Sequence, residues 1–516
     1  MSHPNAILAT AFLGVLAVSA AGMEPNAIFG DRMVLQRGMA VPVWGTAAAG
    51  EKVTVRFAGQ EKAALADANG TWQVRLDPLA VGDAGRMTVA GEAKTVTFSD
   101  VLVGEVWLCA GQSNMAMTVG RAAEAKAEVA AAKLPRIRQS GRKGWVVCSP
   151  ETAGGFSATA FYFARDLHAS LDVPVGLIVR AVGGTRIEQW TARPWLTKLA
   201  YGRTLLAKLS DPNVQAWLPR PRGGRGQAPR PPRPKGPMPP EVAALDPGHV
   251  PSSMYDRFLA GLAPFAIRGV IWYQGERNAK AGDPRAYAEL LPNLIANWRS
   301  DWRRADLPFG YVQLPNLGPD AGRVAHAPQD AWPVVREAAL RALRVPGTGM
   351  AVTIDVGGDL HPKNKQAVGR RLALWARQAV YGEKIVHSGP IFQSMQVDGG
   401  KAVLRFAHVG GGLVAKGGTL GGFVLAGADR KFVPARAVLG PAAGPGQAGK
   451  TVIVSSERVP EPVAVRYAWA DNPVYSLLND AGLPASPFRT DDWPLATVRQ
   501  SQRPGAGPAR NRKRSP

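Results

Sequence analysis

Short apolar or alternating runs separated by turn residues fill the chain from Pro25 to about Val101: Met33-Val34-Leu35-Gln36, Val41-Pro42-Val43-Trp44, Lys52-Val53-Thr54-Val55-Arg56-Phe57, Trp72-Gln73-Val74-Arg75-Leu76 and Met87-Thr88-Val89. Alternation with a period of two predicts half-buried strands, and several of them at close spacing predict a small β-sandwich over 23–100. Asp67-Ala68-Asn69-Gly70 carries the residues of a hairpin turn. The pattern changes at Val101. Residues 101–110, broken only at Gly104-Glu105, form an apolar run suited to a strand covered on both faces of a parallel sheet. Similar runs recur at 175–182, 268–273, 309–314 and 350–356, and helix-forming stretches at 121–133 and 364–381 alternate with them. That alternation predicts an α/β fold, a three-layer domain with a parallel sheet over 101–384. Arg370, Arg371 and Arg377 are expected on the wet face of the last helix. From about Ile385 short strands return, at 402–406, 421–425, 451–454 and 464–469, and predict a C-terminal β module ending near 497.

A chain of 516 residues is too long for one core, which agrees with this three-part plan. Residues 7–20 form an apolar run too short to span a bilayer, followed by small residues, so 1–22 are read as a secretory signal peptide and the protein as exported, periplasmic or extracellular. No later stretch is long and apolar enough to cross a membrane.

The net charge of +23 raises the question of nucleic acid, and its distribution answers it. Residues 219–240 carry six basic residues and no acid, and 501–516 carry five and no acid. Both stretches are rich in Pro and Gly, so 218–240 reads as a disordered surface insertion and 498–516 as a disordered basic tail. Neither interleaves aromatics for stacking on bases, so no specific nucleic-acid partner is expected. Cys109 and Cys148 are too few for a disulfide framework and form no metal-ligand cluster, so no metal and no cofactor is expected. A single bridge between them and a buried, reduced Cys109 are both compatible with the sequence.

The carboxyl ends of the predicted sheet strands carry the candidate chemistry, where open α/β folds place their ligands. The first strand runs into Gly111-Gln112-Ser113-Asn114, the second into Gly183-Gly184-Thr185, the third into Gln274-Gly275-Glu276, and the last into Gly357-Gly358-Asp359-Leu360-His361. Acyl transfer by a serine needs a base, a group that orients the base, and donors for the oxyanion. Ser113 is the candidate nucleophile and His361 the base. Asp359 is the orienting carboxylate, with Asp355 as its rival. The backbone N–H groups of Ser113 and Gly184 and the side-chain amide of Gln274 are the candidate oxyanion donors. Glu276 has no facing acid at the sheet edge, which argues against a glycosidase pair.

Gly111-Gln112-Ser113-Asn114-Met115, Gly183-Gly184-Thr185, Trp272-Tyr273-Gln274-Gly275-Glu276 and Asp359-Leu360-His361-Pro362 resemble, in order, the blocks of the SGNH (GDSL-type) hydrolases, and specifically of the sialate O-acetylesterase family. Met33 to Arg37 and Gly482 to Arg489 extend the resemblance over nearly the whole mature chain. It implies an SGNH-hydrolase-like fold and a metal-independent serine esterase acting on acetylated carbohydrate. The expected substrate is an acetylated sialic acid or, alternatively, a plant-polysaccharide fragment such as xylan or xyloglucan. A carbohydrate-binding protein with an inert central site is the competing class. Asn114, Glu276 and Arg277 are the tentative substrate contacts. Arg186 and Arg277 stand where the family usually has proline and serine. They are read either as a clamp for a sugar carboxylate or as partners of Glu188 and Glu276.

Overall fold

One strand organises the molecule. In the computed structural model, which describes residues 22–82, 85–141, 144–218, 236–245, 248–281, 283–318, 331–441 and 449–495, strand β1 spans Thr95–Gly111, with a left-handed kink at Asp100 (φ +54°). Its first half belongs to the N-terminal sandwich, pairing with Gly85–Ala90 and Val34–Gln36. Its second half, buried at every residue from Val101 to Gly111, is the middle of the central sheet. The predicted signal peptide up to residue 21, residues 219–235 of the predicted insertion and the basic tail lie outside the described residues.

The central sheet adds β2 (Leu134–Gly141), β3 (Gly144–Cys148), β4 (Val175–Ala181), β5 (Gly269–Tyr273), β6 (Phe309–Val312) and β7 (Thr348–Ala351) in the order β3-β2-β4-β1-β5-β6-β7. All neighbours are parallel except the edge pair β3/β2. The β2/β3 hairpin falls where the sequence shows no strand signal, because Leu134-Pro135-Arg136-Ile137-Arg138 reads as basic and polar. Arg138 is nevertheless buried, with its guanidinium bonded to the Asp100 carboxylate and backbone oxygen. Helices α1 (Ala158–Leu171), α2 (Glu276–Lys280), α3 (Tyr287–Asp301), α4 (Ala331–Ala342) and α5 (Lys365–Ala379) accompany the sheet. The wet-face expectation for α5 holds for exposed Arg370 only. Arg371 and Arg377 are partly buried, in ion pairs with Asp355 and with Asp166 and Glu383.

The polar interruption of β1 is an inter-unit clamp. Glu105 is fully buried and accepts hydrogen bonds from Arg37 at 2.6 Å, Arg268 at 2.7 Å and Gln36 at 3.0 Å. Burial pushes its carboxyl up, but the bonds and charge of Arg268, then Arg37 and Gln36, outweigh this and hold it below the ordinary carboxylate value. Gln36 and Arg37 come from the sandwich and Arg268 from the lead-in to β5, so one carboxylate joins the two units.

In the sandwich, Asp67 to Gly70 does not close a hairpin. Lys52–Phe57 pairs with Gln60–Leu65, while Thr71–Leu76 pairs with Val41–Thr46 in the other sheet, so the turn carries the chain from one sheet to the other. The Asp67 carboxylate accepts from the N–H groups of Asn69 and Thr71, which satisfies the turn locally in either topology.

The C-terminal module consists of antiparallel sheets and docks through buried polar bonds. Arg336 of α4 is fully buried and donates to the carbonyls of Leu314 and Pro315 on one side, at 2.9 and 2.6 Å, and of Ala470 and Asp471 on the other, at 2.6 and 2.8 Å. Gln313 donates to Ser486 Oγ at 2.9 Å beside it. Cys109 and Cys148 are both buried and free, so they form no bridge; burial drives the Cys109 thiol pKa up, and that of Cys148 to about 11.

Candidate active site

Register brings three loops to one level. Gly111, the last residue of β1, pairs with Ala181 of β4 on one side and Tyr273 of β5 on the other. The chain therefore leaves the sheet at 112, 182 and 274 side by side. Gly111 has φ of +143°, and a Cβ there would lie 2.1 Å from the Tyr273 carbonyl oxygen, so only glycine lets β1 end this close to β5. Beyond it, Ser113–Ala116 makes one helical turn with Ser113 half-buried at its start.

His361 reaches this point from the loop after β7. Its Nε2 lies 2.8 Å from Ser113 Oγ, within hydrogen-bond reach of the proton a general base must take. Burial, then the positive charges of Lys365, Arg121 and Lys280, hold the imidazole pKa below its ordinary value, favouring the unprotonated form that can act as a base.

Among the described residues neither candidate carboxylate is hydrogen-bonded to the imidazole. Asp355 receives both guanidinium nitrogens of Arg371 at 2.6 Å each. Asp359 is exposed, and among the described residues no hydrogen bond joins it to His361. The sequence expectation for this pair is therefore not what the geometry displays.

Two of the three candidate oxyanion donors are free to serve. Among the described residues neither the Ser113 nor the Gly184 N–H is engaged by another protein atom. Gly184 has φ of +74°, and Gly183 packs directly on the serine, a Cβ there lying 3.4 Å from Ser113 Cβ. Gln274 departs from its expected role. It is 2% exposed, and its Nε2 donates to Thr185 O at 3.0 Å and to Asn278 Oδ1 at 2.8 Å, while Oε1 accepts from Tyr287. One amide proton thus holds the glycine loop at Thr185 and the other goes to Asn278 of α2, whose Oδ1 also accepts from Ile187 N.

Asn114 and Glu276 lie inside the protein, 0% and 2% exposed, and their side chains are engaged with each other rather than open to solvent. The Glu276 carboxylate accepts from the side-chain amides of Gln112 and Asn114, on either side of the nucleophile; burial pushes its carboxyl up. Arg277 is half-buried and Arg186 buried, 4% exposed, which removes Arg186 from any solvent-facing clamp. Glu188 accepts from Tyr201 at 2.8 Å and Asn278 at 2.9 Å.

Sequence reasoning missed Lys365 and Asn278. Lys365 is fully buried beneath the site and donates to Asn114 Oδ1 at 2.5 Å; burial pushes its ammonium down to about 7, with Glu276 opposing. A signal existed. Lys365 occupies the buried stripe of α5 with Val368, Gly369 and Leu372, an apolar position for a lysine. Among the described residues no cluster of metal-ligating side chains occurs.

The family described as "Carbohydrate esterase, sialic acid-specific acetylesterase" matches residues 103–210 and 247–376, which span β1 to α5 and so include Ser113 and His361. The sialate O-acetylesterase of Rattus norvegicus is 30% identical over 416 residues, covering 71% of this chain and 75% of the relative. That of Homo sapiens is 30% identical over 424 residues, 73% and 75% of the two chains. This chain belongs to the sialic acid-specific acetylesterase family. The crystal structure of a carbohydrate acetylesterase from Xanthomonas citri superposes with a TM-score of 0.75 at 35% identity, covering 91% of this chain and 100% of that one. The likeness to that carbohydrate esterase extends beyond the family match into both β units.

Proposed function

We propose that this protein is a serine esterase that hydrolyses O-acetyl esters of carbohydrates, with Ser113 as nucleophile and His361 as general base. The observation that carries the residue assignment is the 2.8 Å contact between Ser113 Oγ and His361 Nε2; among the described residues the Ser113 and Gly184 N–H groups make no bond that would prevent them from serving as donors. Ser113 Oγ attacks the acetyl carbonyl as His361 takes its proton. The Ser113 and Gly184 N–H groups receive the oxyanion that forms. As the C–O bond to the sugar breaks, His361 returns the proton to the leaving hydroxyl, which leaves an acetyl-serine. Water, deprotonated by His361, attacks this ester, and acetate departs with Ser113 restored.

The family's name favours O-acetylated sialic acid as substrate, and the Xanthomonas citri likeness keeps other acetylated glycans in view. No helix among the described residues is long and apolar enough to cross a membrane, and we propose that the protein acts after export.

Acetate release tests this reading with acetylated sialic acid, acetyl-xylan and acetyl-xyloglucan oligosaccharides, using Ser113→Ala as the blank. Release from at least one substrate, absent in the blank, is expected. Equal release by the blank removes Ser113 from the chemistry. No release from any substrate by folded protein favours the binding-protein class.

A further inference from the structure

Asn114 carries more than a buried amide ordinarily does. It follows the nucleophile directly, and its side chain is held from three elements. Lys365 of α5 donates to Oδ1 at 2.5 Å, while Nδ2 donates to Leu360 O at 3.0 Å and to the Glu276 carboxylate of α2. An ammonium only donates, so Lys365 fixes which end of the amide is oxygen. The amide's two protons then point at the two acceptors, and the side chain is fully satisfied.

Leu360 is the residue immediately before His361. One side chain thereby ties the backbone next to the base to the backbone next to the nucleophile, at the place where, among the described residues, no carboxylate is hydrogen-bonded to the imidazole. Lys365 is itself confined, fully buried and with Nζ 5.0 Å from the centre of the Tyr273 ring. A buried cation is costly unless it is paired and bonded, and Glu276 supplies the opposing charge across the Asn114 amide.

We propose that Lys365 is a positioning residue of the esterase: by locking the Asn114 amide onto Leu360 O, it holds His361 in line with Ser113 in place of an acidic third member. The inference rests on the assignment of Ser113 and His361 made above. A second effect follows from charge. The charges that act on His361 are Lys365 from α5, Arg121 from the turn after the nucleophile and Lys280 from the end of α2; Asp359, two residues before it on the same loop, is exposed. Lys365, the only buried cation among these, works against protonation of the base.

The test compares Lys365→Met, which removes both donor and charge, with Lys365→Gln, which keeps an N–H donor without the charge, in the full chain. Lys365→Met is expected to lower kcat about 100-fold with KM changed less than about threefold, the scale of a misplaced general base. Lys365→Gln is expected to recover most of kcat. In both, the acid limb of kcat/KM should move to higher pH. Wild-type kcat in Lys365→Met overturns the proposal. So does an equal loss in both variants with the acid limb unmoved, which is what a purely structural lysine would give.

Should Lys365→Met not fold, Asn114→Asp carries the same test. It keeps an oxygen for Lys365 but cannot donate to Leu360 O, so kcat must fall with KM preserved; unchanged kcat overturns the proposal. Activity retained in Ser113→Ala would remove the underlying assignment, a result obtained before any Lys365 variant is made and distinct from the outcomes above.

Discussion

Asp355 closes on Arg371 through two 2.6 Å hydrogen bonds, which engages the carboxylate nearest the end of β7 with α5. Removing an acid that orients a catalytic histidine typically costs about 10⁴ in kcat. Asp359→Ala is expected to cost less than about tenfold, because Asp359 is exposed and does not touch the imidazole. Asp355→Ala should instead lower the melting temperature by unpairing half-buried Arg371. Steady-state kinetics and thermal unfolding of the two variants check this, and a loss near 10⁴ in Asp359→Ala would restore a triad.

The pH dependence follows from the environment of His361. Burial and the nearby cations lower its pKa, so the imidazole stays unprotonated to a pH below the ordinary histidine value near 6.5. The acid limb of kcat/KM is therefore expected below pH 6.5. The unfolded chain binds this proton more readily, so the group's contribution to stability is present above the unfolded value and is lost as pH falls through the window down to the folded value. A pH–rate profile of the free enzyme checks the limb, and a midpoint above 7 would contradict the cation-rich setting.

Gln274 separates support from direct catalysis. Loss of a true oxyanion donor costs about 10² to 10³ in kcat. Gln274→Glu keeps the shape but loses the protons given to Thr185 O and Asn278, so the glycine loop should loosen. A fall of about tenfold in kcat, together with a lower melting temperature, is expected. Kinetics that show a thousandfold loss at unchanged stability would return Gln274 to the oxyanion.

Arg336→Met should undock the C-terminal module. It leaves the carbonyls of Leu314, Pro315, Ala470 and Asp471 buried without this donor. At about 1–3 kcal/mol for each group left unsatisfied, with some recovered by water, a net loss of about 3 kcal/mol or more is expected. Limited proteolysis between α5 and the module, alongside calorimetry, would show it; a single unchanged transition would refute it.

The parallel strands and their order of chemistry were legible because full burial makes them continuous apolar runs that stop at glycine. Ser113 and His361 could be paired from their places at strand ends alone. The β2/β3 hairpin was not legible, since Arg138 is buried by virtue of Asp100, a partner distant in sequence that no periodicity reports. Asp67 to Gly70 specifies a turn but not which sheets it connects. Side-chain partners are equally unreadable from sequence: closeness in the chain puts Asp359 beside His361, whereas the structure engages Asp355 with Arg371 and shows no hydrogen bond from Asp359 to the imidazole among the described residues. Lys365 went unread because a lysine in a helix is ordinarily assigned to solvent, although its spacing with Val368 and Leu372 places it inside.

The continuity of β1 makes the sandwich and the nucleophile parts of a single rail. No loop separates Thr95 from Gly111, the chain only kinking at Asp100, and Glu105 pins the rail midway. The position of Ser113 relative to the N-terminal unit is in effect a fixed dimension of the enzyme. Exchanging that unit for another would be a change to the alignment of the reacting hydroxyl itself, not the replacement of an appendage.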